Sequence, residues 1–417
     1  MTGDTAGVRG GHGLRSLGLA AQPPTYEALL DWWTYLREEQ PVHYDEELGN
    51  WHVFRHEDVA AALADHRTFS SDMRDLIEQP EAFSKVAQGA FLGFDPPEHD
   101  VLRSLVSKVF TPRMIQELEE RITGISDGLL DALGGARHVG FVERYAYPLP
   151  LTVIADILQI PVVDRARFRA WSDALFFQGR DGEPVLVATA EMLRSIDPLI
   201  AEMNAYFLDV IRSRRARPGP DLISRLATVE EGGQRLRDEE ILGVCGFLLV
   251  AGHITTTMLL TSSVLLLHEH PRAAAALRAD PSLTAGAVEE VMRHRGQLPA
   301  AARRTTREVV LRGRRLPKDS VVLLWLAAAN RDPRVFPDPA RFDIRRTPNR
   351  HLALGKGIHY CLGAPLARLE LRVALAGLLR RWRHFTPGGE VTYEDPRHTI
   401  GAREIPLEVE WAAGGAG

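Results

Sequence analysis

Cysteine and lysine are both scarce in this chain. Only Cys245 and Cys361 occur in 417 residues. One sits in an apolar helical run and the other in a glycine-rich loop. No disulfide framework follows, and a reducing cytoplasm is expected. Of fifty basic residues only Lys85, Lys108, Lys318 and Lys356 are lysine; arginine, with its planar fork, suits anion recognition. A positive excess is also missing. The net charge of −5 and pI near 6.3 argue against a nucleic-acid binder. No run of eighteen apolar residues is uninterrupted, so no membrane-spanning helix is expected. The first twenty residues carry Arg9 and Arg15 with no apolar segment behind them, unlike a signal peptide. Residues 1–22 read as a flexible tail and 23–417 as one domain.

What is present is helical periodicity. Helices are predicted at 25–39, 56–65, 97–109, 112–133, 150–159, 164–176, 184–216, 238–270, 272–279, 283–294 and 364–382, with Thr25 and Asp238 as N-cap candidates and Pro112 and Pro365 near helix starts. Strand signals are short: 51–54, 307–311, 320–325 and 405–411. The expected class is mainly α with small β-sheets.

The densest chemistry lies in 354-LGKGIHYCLGAPLARLE-370. Glycines at 355, 357 and 363 bracket Cys361, and a helix opens at Ala364-Pro365. Glycine permits close approach and positive φ. A cysteine at a helix N-terminus sits where free N–H groups favour thiolate. A buried small hydrophobe is one reading. A nucleophile with His359, two residues away, as its base is another. Structural zinc lacks its other ligands. A single axial thiolate on a heme iron fits best.

This loop resembles the heme-binding loop of cytochrome P450s, Phe-Gly-x-Gly-x-His/Arg-x-Cys-x-Gly. The match is at Gly355, Gly357, His359, Cys361 and Gly363, with Leu354 in place of the usual phenylalanine. The resemblance runs from about Tyr26 to the C-terminus. It implies the P450 fold, with heme b between a long central helix and the cysteine loop. In 289-EEVMR-293, Glu290 and Arg293 share a helix face, as 191-EMLR-194 also arranges. The resemblance makes them, with Arg341, a buried bracing triad. His99 and Arg103 are four apart on one helix face. By resemblance they meet the heme propionates together with His359 and Arg303, or with Arg304 in its place.

In 251-AGHITTT-257 the family usually places an acid where Ile254 stands. The central helix would run roughly 50 Å at about 1.5 Å per residue. Cleaving the O–O bond needs protons. Ala251 and Gly252 are expected to leave room for oxygen, Thr255 to hold a water and His253 to offer a proton route; Thr256 and Thr257 are expected to bond back to carbonyls. Ile254, Ala300, Ala301 and Ile400 are expected to line the substrate pocket, along with the loop 72–92.

The resemblance, nearest to the bacterial macrolide hydroxylases, implies a cytoplasmic monomer that binds neither membrane nor nucleic acid. It would use O2, a ferredoxin and a ferredoxin reductase to hydroxylate an unactivated C–H bond of a bulky secondary metabolite. Lys108, Arg113, Lys356 and Arg368 would form the ferredoxin contact. The alternative is oxidative C–C or C–N coupling of aromatic or cyclodipeptide substrates. A heme-free auxiliary role would require a missing cysteine, and Cys361 is intact.

Overall fold

The computed structural model describes residues 25–76, 80–176 and 190–412. The tail assigned to 1–22 and the start of the helix predicted at 184 lie outside them.

The predicted helices form, most within two residues of their expected ends. Thr25 caps its helix, accepting from the Ala28 N–H at 3.2 Å. Asp238 is not the cap of the central helix, Asp238–Glu269. Arg237 holds that position, and its N–H donates to the Glu240 carboxylate at 2.7 Å in a capping box. Asp238 instead takes the Arg215 guanidinium at 2.5 Å. The pattern at 112–133 divides into Pro112–Gln116 and Glu119–Asp131. Glu117 and Leu118 between them keep right-handed helical dihedrals, so the apolar phase carries across the break. Two short helices form beyond the predicted bounds: Glu81–Ala87, within the stretch read as the loop 72–92, and Leu222–Thr228. Each spans about two turns, too short for periodicity to show.

A five-stranded sheet runs in the order Val42–Asp45, Asn50–Val53, Val321–Leu324, Ala301–Thr305, Phe69–Ser70. All its pairs are antiparallel except Asn50–Val53 with Val321–Leu324. Its register sets Val322 against Arg303 and Leu324 against Ala301. The C-terminal strand Pro406–Trp411 pairs with Trp382–Pro387 and His138–Gly140. The strand expected at 307–311 is half of a hairpin, Val309–Leu311 with Arg314–Leu316.

The central helix is apolar on every side, as a helix surrounded by protein must be. By length and composition alone it is able to cross a membrane. Here it is packed inside the molecule against the helices Pro148–Ile157, Ala190–Ala216, Thr284–Arg295 and Ala364–Arg381.

Three buried histidines give this core a pH limit. Burial is the main cause that pushes His253 down to about 3 and His294 down to about 2, and it lowers His52 in the same direction. Folded, they stay neutral; unfolded, they take up protons below about 6.5. Their contribution is therefore complete above that value and is lost as pH falls toward the folded pKa values. Urea unfolding is expected to show little change from pH 8 to 7, then a loss of about 4 kcal/mol by pH 5.5.

Candidate active site

The cysteine loop is shaped by glycines with different tasks. Gly355 and Gly357 adopt φ of 73° and 74°, the left-handed region. At Gly357 a Cβ would also come within 2.6 Å of the Leu63 carbonyl, so the loop lies directly on the helix His56–Ala64. Gly363 is different. Its φ is −78°, and an added Cβ would sit 3.9 Å from the Cys361 sulfur, so it preserves space beside the sulfur. The Cys361 N–H bonds to the Leu354 carbonyl at 2.9 Å. Burial raises the Cys361 thiol pKa, against the opposing N–H groups of Gly363 and Ala364 and the charges of Arg103 and Arg368. The helix terminus favours thiolate as expected, but burial outweighs it; a coordinated metal ion would hold the sulfur deprotonated.

Cys361 opens on a cavity of about 410 Å³. Leu354, Gly355 and His359 line the sulfur side. Ala251, Gly252, Thr255 and Thr256 of the central helix line the other. Arg103, Arg303, Phe91 and Gln297 stand at its edges. A larger cleft of about 530 Å³ runs past Asp72, Arg74, Arg304 and Asp319. It is open and charged and does not adjoin Cys361, so the site is placed in the enclosed cavity.

One edge of the cavity gathers donors that lack partners. His99 is buried, its Nδ1 paired with Asp100 at 2.9 Å and its Nε2 free of any hydrogen bond. Both ring nitrogens of buried His359 are unpartnered, and its ring lies 4.6 Å from that of His99. Arg103 donates through Nη2 to the Tyr360 carbonyl at 2.8 Å, leaving Nη1 buried and unpaired. Burial lowers Arg303 to about 10, and its Nη1 donates to its neighbour's carbonyl, that of Ala302, at 2.7 Å. Buried donors without acceptors are costly, and a dianionic group along this edge would satisfy them. The residues therefore fit a heme, whose iron Cys361 would hold and whose propionates these four would meet. Arg304, the substitute for Arg303, pairs instead with Asp75 and Asp319 at 2.5 and 2.9 Å. Among the described residues no group of three His, Cys, Asp or Glu side chains is placed to hold a bare ion.

On the central helix, Ala251, Gly252 and Thr255 are partly exposed to the cavity, while His253, Ile254, Thr256 and Thr257 are buried. All three threonines donate to carbonyls four residues back: Thr255 to Ala251 at 2.6 Å, Thr256 to Gly252 at 3.2 Å and Thr257 to His253 at 3.1 Å. That arrangement was expected of the last two and holds for Thr255 also. At Gly252 a Cβ would come within 2.6 Å of Ile154 Cδ1, so packing demands glycine there.

Several expectations are corrected. His253 does not reach the cavity: its Nδ1 bonds to Ser172 Oγ at 2.7 Å and its ring stands edge-on to Tyr147. Ile254 points into a separate void of about 60 Å³ beside Tyr147, Asp173 and Arg403. Ile400 is buried and borders another cavity, near Tyr26 and Arg295. Ala300 packs on the Trp32–Trp33–Trp325 cluster, so Ala301 alone of the four lines the main cavity. Helical phase explains His253 and Ile254, and alternation at the start of the strand explains Ala300, since a one-residue step turns a side chain to another face; Ile400 lies in irregular backbone. Three of the four residues given to the ferredoxin contact are ion-paired: Lys108 with Glu231, Arg113 with Glu117 and Arg368 with Glu289. Lys356 is exposed and pairs with no carboxylate among the described residues.

The bracing group forms around Glu290. Arg293 grips it with two bonds of 2.8 Å, both side chains fully buried. The third partner is Arg346, not Arg341. Arg346 Nε lies 3.2 Å from Glu290 Oε1, and Asn349 Nδ2 and the Asp343 N–H complete the carboxylate at 3.1 and 2.8 Å. Arg341 is exposed and contributes its carbonyl, which accepts from Arg293 and Arg346 at 3.1 and 3.2 Å. The segment 339–346 is irregular, so no periodicity says which arginine turns inward; Arg346 and Asn349 carried no signal of their own.

The cytochrome P450 family model matches residues 172–411. Erythromycin C-12 hydroxylase of Saccharopolyspora erythraea is 42% identical over 387 residues, covering 91% of this chain and 94% of its own. Cytochrome P450 monooxygenase PikC of Streptomyces venezuelae is 41% identical over 407 residues, covering 95% of this chain and 92% of its own. The open form of P450 EryK from S. erythraea superimposes with a TM-score of 0.84 at 39% identity, over 93% of this chain and 97% of that one. The glycine-braced cysteine, the buried Glu290–Arg293 pair and the central helix across the cavity thus occur in a chain that belongs to the cytochrome P450 family of monooxygenases.

Proposed function

We propose that the protein inserts one atom of O2 into an unactivated C–H bond of a bulky, macrolide-like secondary metabolite. The observation that carries this reading is the cavity between Cys361 and Thr255, edged by the unpartnered donors of His99, Arg103 and His359. Heme b bound there would supply one-electron redox chemistry and O2 activation. The protein's own work is placement. Cys361 would hold the metal, and the edge donors would fix the propionates. Ala251 and Gly252 keep the central-helix wall low, and Thr255 positions a water at the cavity face. Phe91, Phe247, Leu248 and Leu298 exclude bulk water from the ligand.

A substrate of this class suits the mainly apolar wall with few polar groups, and two relatives are named erythromycin C-12 hydroxylase and cytochrome P450 monooxygenase PikC. Residues 23–417 would act as one catalytic unit, a cytoplasmic monomer drawing electrons from a ferredoxin and its reductase.

Thr255→Ala is expected to leave ligand binding within about twofold while hydrogen peroxide release per electron consumed rises severalfold. Unchanged coupling would remove the water-holding role. The reaction itself is tested by product mass. After a spectral screen of macrolactones, glycosylated macrolides and cyclodipeptides, a gain of one oxygen supports insertion. Loss of two hydrogens would establish coupling instead.

A further inference from the structure

The segment that carries Phe91 and Leu92 into the cavity wall is seated on the central helix through two glycines. A Cβ on Gly89 would lie 2.8 Å from Gly243 Cα, and one on Gly243 would collide with the Val86 carbonyl and with Gly89 itself. One turn further, a Cβ on Gly246 would come to 3.0 Å from Val86 Cγ1. The obstructing atoms at Gly89 and Gly243 are backbone, so a methyl group there must part the segment from the helix.

The same segment is held from its other side. Asn204 Nδ2 donates to the Ala82 carbonyl at 2.8 Å, and the Phe83 N–H reaches Asp197 at 3.4 Å. Two residues past Gly89, Phe91 packs edge-on against Phe247 at 5.7 Å, and Phe247 lies one helical turn past Gly243. Phe91 also sits under the Arg103 guanidinium, 5.4 Å from ring centroid to cation. One backbone contact therefore fixes where an aromatic side chain stands between the substrate space and the propionate edge.

We propose that the Gly89–Gly243 contact is a positioning device that sets the height of the Phe91–Leu92 wall and so the bulk of ligand the cavity admits. The proposal rests on the functional reading above for what enters the cavity, but not for the packing itself. Gly243→Ala should raise the wall and favour larger ligands.

The test compares Gly243→Ala with Gly93→Ala, a control on the same segment whose added Cβ would meet nothing within 4 Å. Backbone hydrogen exchange over residues 80–93 should quicken at least about tenfold in G243A and stay within about twofold in G93A. In heme-loaded protein, spectral titration with imidazole and with 1-(triphenylmethyl)imidazole should show the ratio of dissociation constants move at least about tenfold toward the bulky ligand in G243A, or about 1.4 kcal/mol.

Unchanged exchange in folded G243A would overturn the proposal. So would faster exchange with an unchanged ratio, because the segment would then move without setting the cavity. Should G243A fail to fold, Gly89→Ala, placed in a loop, is read by the same two measurements. In the unmodified protein, amides 86–91 should exchange about as slowly as 241–247, and exchange about a hundredfold faster would also overturn it. If neither imidazole perturbs the spectrum of the unmodified protein, the heme reading fails while exchange still decides the packing.

Discussion

Arg293→Ala is expected to cost about 3–5 kcal/mol of folding stability, because it strands the fully buried Glu290 carboxylate without its main counter-charge. Arg346→Ala removes one charge-assisted bond and leaves Arg293 in place, for about 1.5–3 kcal/mol. Arg341→Ala should change stability by less than about 0.5 kcal/mol, since an exposed side chain is lost and the backbone carbonyl stays. Urea unfolding followed by circular dichroism checks the order. A cost for Arg341→Ala equal to that for Arg346→Ala would restore Arg341 as the third member.

Cys361→Ala should have the largest effect on function. Cys361 supplies the one cysteine sulfur that lines the cavity, while Cys245 is buried in the central helix, where burial raises its thiol pKa. Turnover is expected to fall at least about a thousandfold, about 4 kcal/mol in barrier. The reduced, CO-bound protein should lose its thiolate-type Soret band. Helix content should be retained, because the loop's bends come from Gly355 and Gly357 and its closure from the Cys361 N–H, which alanine keeps. Retention of the thiolate-type band would show that Cys361 is not the ligand.

The parts of this molecule that were legible in sequence are those where spacing encodes geometry. Thr25, Pro112 and Pro365 mark helix starts because capping and proline chemistry are local. Gly355, Gly357 and Cys361 identify their loop because close approach and positive φ demand those letters. Arg103, Arg303 and His359 line one cavity, and the His99 ring lies 4.6 Å from that of His359. Facing was harder to read. Ile254 and Ala300 lie beside cavity residues in the chain yet turn elsewhere, and Ile400 borders a different cavity altogether. Arg346 was hidden because irregular backbone has no period. Gly89 and Gly243 gave no sign of each other, since a contact between residues far apart in sequence leaves no local pattern.

The bonds from the three threonine hydroxyls to their own helix have a chemical consequence. A hydroxyl carries one hydrogen and two lone pairs. With the hydrogen of Thr255 committed to the Ala251 carbonyl, the group offers the cavity lone pairs alone. That stretch of wall is therefore Lewis-basic: it welcomes an O–H or N–H and repels a ketone, ether or ester oxygen. Ligands should enter with a hydrogen-bond donor turned toward Thr255 and their carbonyl face turned away. A methyl ether at that position of an otherwise good ligand should bind worse than the free alcohol.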